Sequence, residues 1–573
     1  VNPTIRPTPE QEAALKAFRS GKDLKLIAVA GSGKTTTLRL MAEAAPQKRL
    51  MYLAFNSSVK TEGKRKMPRN VQVLTLHGLA YREMVRGNRH LRRKFGEGRG
   101  QIRAHHIHQA LSGVSRMGSY VLRATLGNFL RSNLQNPTPA MIPVRYRQIL
   151  ARGGRQDEEG TLLEGVRQLW QRIQDPSDPF PLSHDAYVKL WAMSSPRIGG
   201  VDALLVDEAQ DLDPVFLGVL ERQIGLQRIY VGDPAQQIYG WRGAVNALDS
   251  LGGEPWSLTW SFRFGDELAA LVRGLMAFLD RSVPLQGKAA WPTELGCGDL
   301  PPPFTTLCRT NAGVVDALVR RAPQKAHVLG GVKELVWLLE DAEALRRGEE
   351  RTRPHPDLLL IESWEELEAL AENLGDPTAA ILSNLANSYP DLSTLAGYLQ
   401  GIQVEEHDAE LVVSTAHKAK GREWDRVELW DDFPPVWDPH YRERLLRSQP
   451  DTAMAALWEE ENLLYVALTR AMRRLSPPPH LVEWPLFVEL GQESQPALPP
   501  PPPANGLPAS TRPARDEPVS PSPTLAENLE LVSDLFSFLA KVLEHPHTPP
   551  ELREQAQELA RQGLRALGLA KGP

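Results

Sequence analysis

Residues 24–37 read LKLIAVAGSGKTTT. A short apolar run from Leu24 to Val29 leads into a turn of small residues and then Gly33-Lys34-Thr35. That order predicts a strand, a phosphate loop and a helix. Glycines let successive backbone N–H groups curl around phosphate oxygens, and the helix N-terminus adds the positive end of its dipole. Ala30, Gly31, Ser32 and Gly33 would form the cradle, Lys34 would reach the β- and γ-phosphates, and the Thr35 hydroxyl would ligate Mg²⁺. Thr36 and Arg39, on the turns that follow, complete the candidate nucleotide-binding set. The first glycine of the common G-x-x-x-x-G-K-[ST] pattern is Ala28 here, so the string is A-x-x-G-x-G-K-T.

The surrounding chain has 573 residues, too many for one core, and two to four domains are expected. At 42% apolar it can fill such cores, yet no apolar run approaches the ~18–20 residues of a membrane span. The start carries no secretory signal pattern. Two cysteines, Cys297 and Cys308, cannot alone make a Cys-rich zinc or iron–sulfur site. A reducing, intracellular setting without membrane contact is the expectation. The net charge of −4 conceals an asymmetry. Between Arg82 and Arg155 fifteen Lys or Arg stand against Glu83 and Glu97, a local balance of +13, so the remainder carries −17. Such a block is either the footprint of a polyanion groove or a solvated arginine-rich helical face.

Taken in order, PTPEQEAAL opens a helix in which Gln11 is either a surface residue or an amide matched to the edge of adenine. RLMYLAFNSSVK is a strand ending in Phe55-Asn56, and VQVLTLHGLAYR a strand ending in Thr75 and His77. Beside Lys60, Lys64, Arg65, Lys66 and Arg69 these ends suit single-stranded nucleic acid through stacking and phosphate contacts. The other reading places Phe55 in a core and makes His77 a helix cap. The tract His105-His106-Ile107-His108 has no nearby Cys or carboxylate, which weighs against metal binding. VDALLVDEAQD (201–211) is a strand delivering two adjacent carboxylates. Asp207 would hold Mg²⁺, and Glu208 would orient and deprotonate a water. RIYVGDPAQQIYGWRGA (228–244) puts Gln236 where it could sense a terminal phosphate, with Tyr239, Trp241 and Arg242 as a stacking platform beyond the sheet. SLTWSFRFG supplies Phe262-Arg263, and LVVSTAHKAKGREWDRVELW (411–430) carries Thr415, His417, Lys420, Gly421 and Glu423 in a loop. Arg470 ends the helix EEENLLYVALTRAMRRL; with Arg263 it is a candidate γ-phosphate clamp. Residues 491–524 form a Pro-rich linker. Helical periodicity returns over 525–573, as a small hairpin or a partner-binding tail.

Together the strings AxxGxGKT, AFN, TxH, VDEAQD, VGDPxQxIYxWRGA, SFR, CRTN, STAHKAKGxEWD and YVALTRA resemble, in this order, the superfamily 1 DNA helicases of the UvrD/PcrA/Rep group. The wording is nearest the branch that includes the F-box DNA helicases, though no F-box pattern is evident. The match covers about residues 8–475. The resemblance implies an α/β fold of two RecA-like P-loop motor domains, parallel sheets flanked by helices, each with a mainly helical insertion. The first motor domain would comprise 1–84 and 196–256 with insertion 85–195; the second, 257–332 and 409–490 with insertion 333–408.

It further implies ATP with Mg²⁺ in the cleft between them, and 3′-to-5′ travel along single-stranded DNA and into single–double-strand junctions, in repair, replication or recombination. Lys34, Thr35, Asp207 and Glu208 would then be the ATPase centre; Gln236, Arg263 and Arg470 would contact the γ-phosphate; Gln11 and Phe262 would hold adenine. Glu423 would join the nucleotide site, and Phe55, Asn56, Thr75, His77, Tyr239, Trp241, Arg242, Thr415 and His417 the DNA path. A bacterial source would place the protein in the cytoplasm at the nucleoid, with the C-terminal helices as a candidate docking element. Three departures bear on this: Phe262 replaces the usual Tyr, Trp424 stands where Phe is common, and the second insertion is short. The last favours translocation over vigorous unwinding. A translocase that strips proteins, or an ATP-gated subunit of a larger complex, are the alternatives.

Overall fold

The apolar strands pair into two parallel sheets. The first holds β1 (Leu24–Ala28), β2 (Leu50–Ala54), β3 (Val71–Thr75), β4 (Ala203–Val206), β5 (Gln227–Gly232) and β6 (Glu254–Leu258), in the order β3-β2-β4-β5-β1-β6. β2 and β4 are buried at every position, as strands covered on both faces must be. A two-stranded piece, β7 (Trp260–Ser261) with β8 (Gln286–Gly287), follows. The second sheet holds β9 (Glu294–Leu295), β10 (Phe304–Cys308), β11 (Ala326–Val328), β12 (Leu411–Thr415), β13 (Trp424–Leu429) and β14 (Ala471–Ser476), ordered β11-β12-β10-β13-β14-β9. Two RecA-like α/β domains result. This computed structural model describes residues 6–482 except 98, 144–145, 148–149, 151–157, 239–246, 297, 299, 352, 360, 375 and 449–452. Tyr239, Trp241, Arg242, Cys297, the linker and the 525–573 segment lie outside the described residues.

Helix α1 (Pro9–Arg19) starts where Thr8 caps it: the Thr8 hydroxyl accepts from Gln11 N–H while the Gln11 side chain returns a bond to Thr8 N–H. Helix α2 (Lys34–Glu43) follows the phosphate loop. Phe18, Leu38 and Met41 from these helices pack with Leu26, Tyr52 and Ile229 on one face of the first sheet. The other face is covered by the insertion between β3 and β4. Its Trp170, Tyr187 and Trp191 share one core with Met51, Leu204 and Val206. The second insertion enters between β11 and β12 and likewise shares its core, Leu338 and Leu382 packing with Leu411 and Val413. Both insertions are therefore continuous with the motor domains by packing. One boundary moves as well: β6 ends at Leu258 and pairs with β1 through Ala28↔Leu258, so the division at 256/257 cuts a strand of the first sheet.

The basic block divides by burial. Arg86, Arg89, Arg92, Arg93, Arg99 and Arg103 are exposed and remain available to a polyanion. Lys94 is buried, and its Nζ donates to the carbonyls of Arg172 (2.8 Å), Ile173 (3.2 Å) and Asp175 (2.6 Å). These close the C-terminal end of helix Glu158–Gln174, where carbonyls lack intrahelical donors and the dipole favours a cation. Lys189 does the same for Ser132 and Leu134 past helix Arg116–Arg131, 4.6 Å above the Phe129 ring. Lys94→Met strips three carbonyls, that of Ile173 buried, of their donor and should lower the unfolding free energy in a urea titration by about 2–3 kcal/mol. Exposed Arg92→Met should stay within ~0.5 kcal/mol of the parent.

Candidate active site

In parallel α/β sheets ligands bind beyond the carboxyl ends of the strands, and β1, β4 and β5 bring their loops together there. Gly31 and Gly33 have φ of +73° and +77°, a region glycine enters without strain. Gly31 is constrained twice, because a Cβ on it would lie 2.5 Å from Ser261 Oγ and 2.8 Å from Arg263 Cβ. No side chain caps α2, so its leading N–H groups face the loop. Lys34 Nζ lies 3.2 Å from Glu208 Oε1, and Thr35 Oγ1 donates to Asp207 Oδ2 at 3.1 Å. Tyr52 donates its hydroxyl to the same Asp207 oxygen. Glu208 itself holds a left-handed φ of +52°, a cost that persists only where surroundings enforce it.

Burial and the Glu208 charge push Asp207 up to about 6. Burial also opposes ionisation of Glu208, but Lys34 and Lys420 outweigh it and hold that carboxyl at about 2. The pair thus has separated roles: one carboxylate fixed as an anion, the other dependent on a nearby cation. The donor set fits a nucleotide triphosphate with Mg²⁺. Ser32 Oγ is buried in the loop without a hydrogen-bond partner, and Thr35 and Asp207 are hard oxygen ligands side by side.

The second domain closes the site. Arg263 Nε pairs with Glu423 Oε2 at 2.6 Å, and its Nη1 donates to Thr469 O at 2.9 Å. Arg470 is fully buried and donates to neutral acceptors: the carbonyls of Val466 (2.8 Å) and Arg422 (3.1 Å) and the Thr469 hydroxyl (3.1 Å). Burial and the adjacent Arg263 pull its pKa down to about 9. Glu208 and Glu423 favour its charge through space, but no carboxylate bonds it; a buried cation so placed is costly, and a polyphosphate arriving in the cleft would relieve it.

Residues 199–248 match the model of the UvrD/REP helicase N-terminal domain, and residues 332–476 that of the UvrD-like helicase C-terminal domain. The chain belongs to the UvrD-like superfamily 1 helicases. It is 30% identical over 516 residues to F-box DNA helicase protein 1 of Schizosaccharomyces pombe, covering 82% of this chain and 57% of that protein. It is 28% identical over 510 residues to F-box DNA helicase 1 of Gallus gallus, covering 82% and 49%. The chain thus spans about half the length of these relatives.

Gln236 donates its amide N–H to Asp233 Oδ2 at 2.6 Å, beside the carboxylates of the UvrD-like centre. Gln11 is not a surface residue: it is buried, its amide oxygen takes Thr8 N–H at 3.0 Å, and its Nε2 donates to Thr37 Oγ1 on α2 at 3.0 Å. One N–H and one lone pair of the amide are left for a base. Phe262 is 43% exposed, and its N–H donates to Gly31 O at 3.0 Å. Arg39 turns to Glu43 at 3.4 Å, one turn along α2, and Thr36 is half-buried.

On the candidate DNA side, Asn56 caps helix Ser57–Lys66 by accepting Val59 N–H at 2.9 Å, and Phe55 is half-buried. The cap of helix Leu76–Ala80 is Thr75, accepting from Gly78 N at 2.9 Å. His77 is therefore not the cap. It stands 3.6 Å from Asp185 and edge-on to Phe216. Thr415 repeats the device at the end of β12, accepting Lys418 N–H at 3.4 Å, with His417 two residues on and half-buried. T-L-H and T-A-H thus occupy matching strand ends in the two sheets.

Three side chains without an assigned role in the sequence complete the site, and two of them, Lys420 and Tyr465, join the domains. Lys420 pairs with Asp211 at 2.6 Å and donates to Gln236 O at 2.6 Å. Gln210 links Glu208 (2.6 Å) to the backbone of Asp233 (3.0 Å). Tyr465, fully buried, donates to Asp233 Oδ2 at 3.0 Å and accepts Ala30 N–H at 3.2 Å. Their only signal was position inside the quoted strings. Tyr465→Phe keeps the ring and leaves Ala30 N–H without its acceptor. An unfolding free energy lower by about 1–3 kcal/mol is expected; a variant as stable as the parent would mean the hydroxyl bridges nothing.

Proposed function

We propose that this chain is an ATP-driven motor that moves 3′ to 5′ on single-stranded DNA and separates duplex strands ahead of it. The observation that carries the proposal is the convergence of Lys34, Asp207 and Glu208 from one sheet with Arg263 and Arg470 from the other. Mg²⁺-ATP, when bound, supplies the phosphoanhydride and the charge those residues are arranged around. Lys34, Thr35 and Asp207 would hold it from the first domain. Glu208, anionic across the physiological range, orients the water and takes its proton. Arg263 and Arg470 grip the terminal phosphate from the second domain, and Lys420 and Tyr465 keep the domains in register around it. Loss of the gripped phosphate leaves Arg470 with only its neutral acceptors and removes what it held across the cleft, and the domains part. Strand-end residues Phe55, Asn56, Thr75 and His77 on one sheet and Thr415 and His417 on the other would hold DNA with alternating strength, which turns each cycle into a step.

A second reading is a translocase that strips bound proteins and separates strands poorly. It is favoured by the second insertion, whose described helices (Lys333–Arg346, Trp364–Leu374, Pro377–Ser388, Thr394–Ile402) are tied into the motor core rather than reaching outward as an arm.

ATP turnover is measured with and without single-stranded DNA, alongside strand displacement from 3′- and 5′-tailed duplexes. Strong stimulation with displacement from the 3′ tail alone is expected; stimulation without displacement would favour the stripping motor. Lys34→Ala should abolish turnover and largely spare DNA binding, and retained turnover would overturn the site. Trp241→Ala should weaken single-stranded DNA binding by about 1–3 kcal/mol, the range of one lost stack, in a fluorescence titration.

A further inference from the structure

Glu10 lies on α1 next to Gln11, and the chemistry above does not use it. Both of its carboxylate oxygens are committed to one residue: Oε2 accepts Thr259 N–H at 2.8 Å, and Oε1 accepts the Thr259 hydroxyl at 2.6 Å. Thr259 is the single residue between β6, the edge of the first sheet, and β7. From that point the chain crosses to the second domain as a strap with bonds to both sides. Leu258 O accepts Val29 N–H at 3.0 Å, and Phe262 N–H donates to Gly31 O at 3.0 Å. On the other side Thr259 O accepts Gln286 N–H at 2.9 Å, and Ser261 O accepts Lys288 N–H at 2.7 Å. The strap is thus pinned at one end by Glu10 and at the other by the phosphate loop.

Residues adjoining this clamp are the two assigned to the base. Gln11 follows Glu10 directly and is itself tied to Thr37; Phe262 comes three residues after Thr259, in the strap. A bidentate carboxylate on an N–H and an O–H allows little rotation and is stronger than a neutral pair. We propose that Glu10 is a positioning residue for base recognition. By clamping Thr259 it fixes the spacing between Gln11 and Phe262, so nucleotide selectivity depends on a side chain that does not touch the nucleotide. The inference rests on the reading of Gln11 and Phe262 as the adenine-holding pair.

The variants separate the clamp from general stability. Glu10→Ala removes both acceptors. Glu10→Gln preserves two contacts, because the amide oxygen can accept Thr259 N–H while the amide N–H donates to the hydroxyl oxygen. Thr259→Val loses the hydroxyl and keeps the N–H contact. Steady-state KM and kcat are measured for ATP and for GTP on the full chain with saturating single-stranded DNA, beside the thermal unfolding midpoint. For Glu10→Ala the KM for ATP should rise about fivefold, less than a directly lost charge-assisted hydrogen bond would give because the clamp acts through Gln11 and Phe262, with kcat and the KM for GTP little changed. Thr259→Val should fall between, and Glu10→Gln should match the parent. A fall in kcat equal for both nucleotides, or a lowered midpoint with selectivity intact, would overturn the clamp, as would a parent that does not distinguish the two bases. If the parent hydrolyses neither nucleotide, the motor reading fails. The clamp is then judged by the same ratio in binding of fluorescent mant-ATP and mant-GTP, and equal ratios in parent and Glu10→Ala would reject it.

Discussion

A charge taken out of water has to be paired or it reverts to neutral, and the cleft of this UvrD-like chain is organised by that constraint. Lys34, Asp207, Glu208, Asp211, Asp233 and Lys420 all lie at its floor, and their partners come from both domains. Lys34 satisfies Glu208, Lys420 satisfies Asp211, and Tyr465 and Gln236 satisfy Asp233. Each pairing across the cleft makes closure of the domains a condition for keeping a charge. Arg470 is the exception that gives the arrangement a direction. Its acceptors are neutral, so the closed cleft still has a cation to satisfy.

Backbone bonds add to these side-chain links between the domains. The 258–263 segment bonds to both the first domain and the second, and it passes so close to Gly31 that no side chain fits there. Backbone contacts of this kind transmit a change in the phosphate loop without depending on long flexible side chains. Within the second domain, the Trp424 indole N–H donates to Glu406 at 3.2 Å, and Glu406 also pairs with Arg422 at 2.7 Å. A Phe at 424 would lack that N–H. The departure from the family's usual residue therefore carries a hydrogen bond at the junction of the second insertion with the loop before β13.

Much of the site was legible because phosphate chemistry demands particular residue types at the ends of buried strands. Lys34, Thr35, Asp207 and Glu208 could be read from apolar runs followed by the required letters, and the structure places all four within one set of contacts. What escaped reading depends on contacts distant in sequence. Nothing local to Tyr465 indicates that its hydroxyl meets an N–H 435 residues earlier. The basic block misled in part for the same reason. Composition counts Lys94 with the exposed arginines, although its charge is spent on a helix end some 80 residues away. The boundary at 256 failed differently: β6 has the burial pattern of an edge strand, exposed or half-exposed except at Leu258, so hydrophobicity did not mark where the first sheet stops.

An arginine that already has a carboxylate, such as Arg309 with Glu460, has no electrostatic reason to move when a ligand arrives. Arg263 has one, Glu423, but that carboxylate is half-exposed at 50% and its pairing is correspondingly weak. Arg470 bonds to none among the described residues, and Glu208 and Glu423 favour its charge only through space. Ranked by what each would gain from a polyphosphate, the order is Arg470, then Arg263, then Arg309. The two arginines with most to gain flank the same loop, and the one with least holds the interior of the second domain together. A motor requires that separation, since the group that senses the ligand cannot also be the group on which the fold depends.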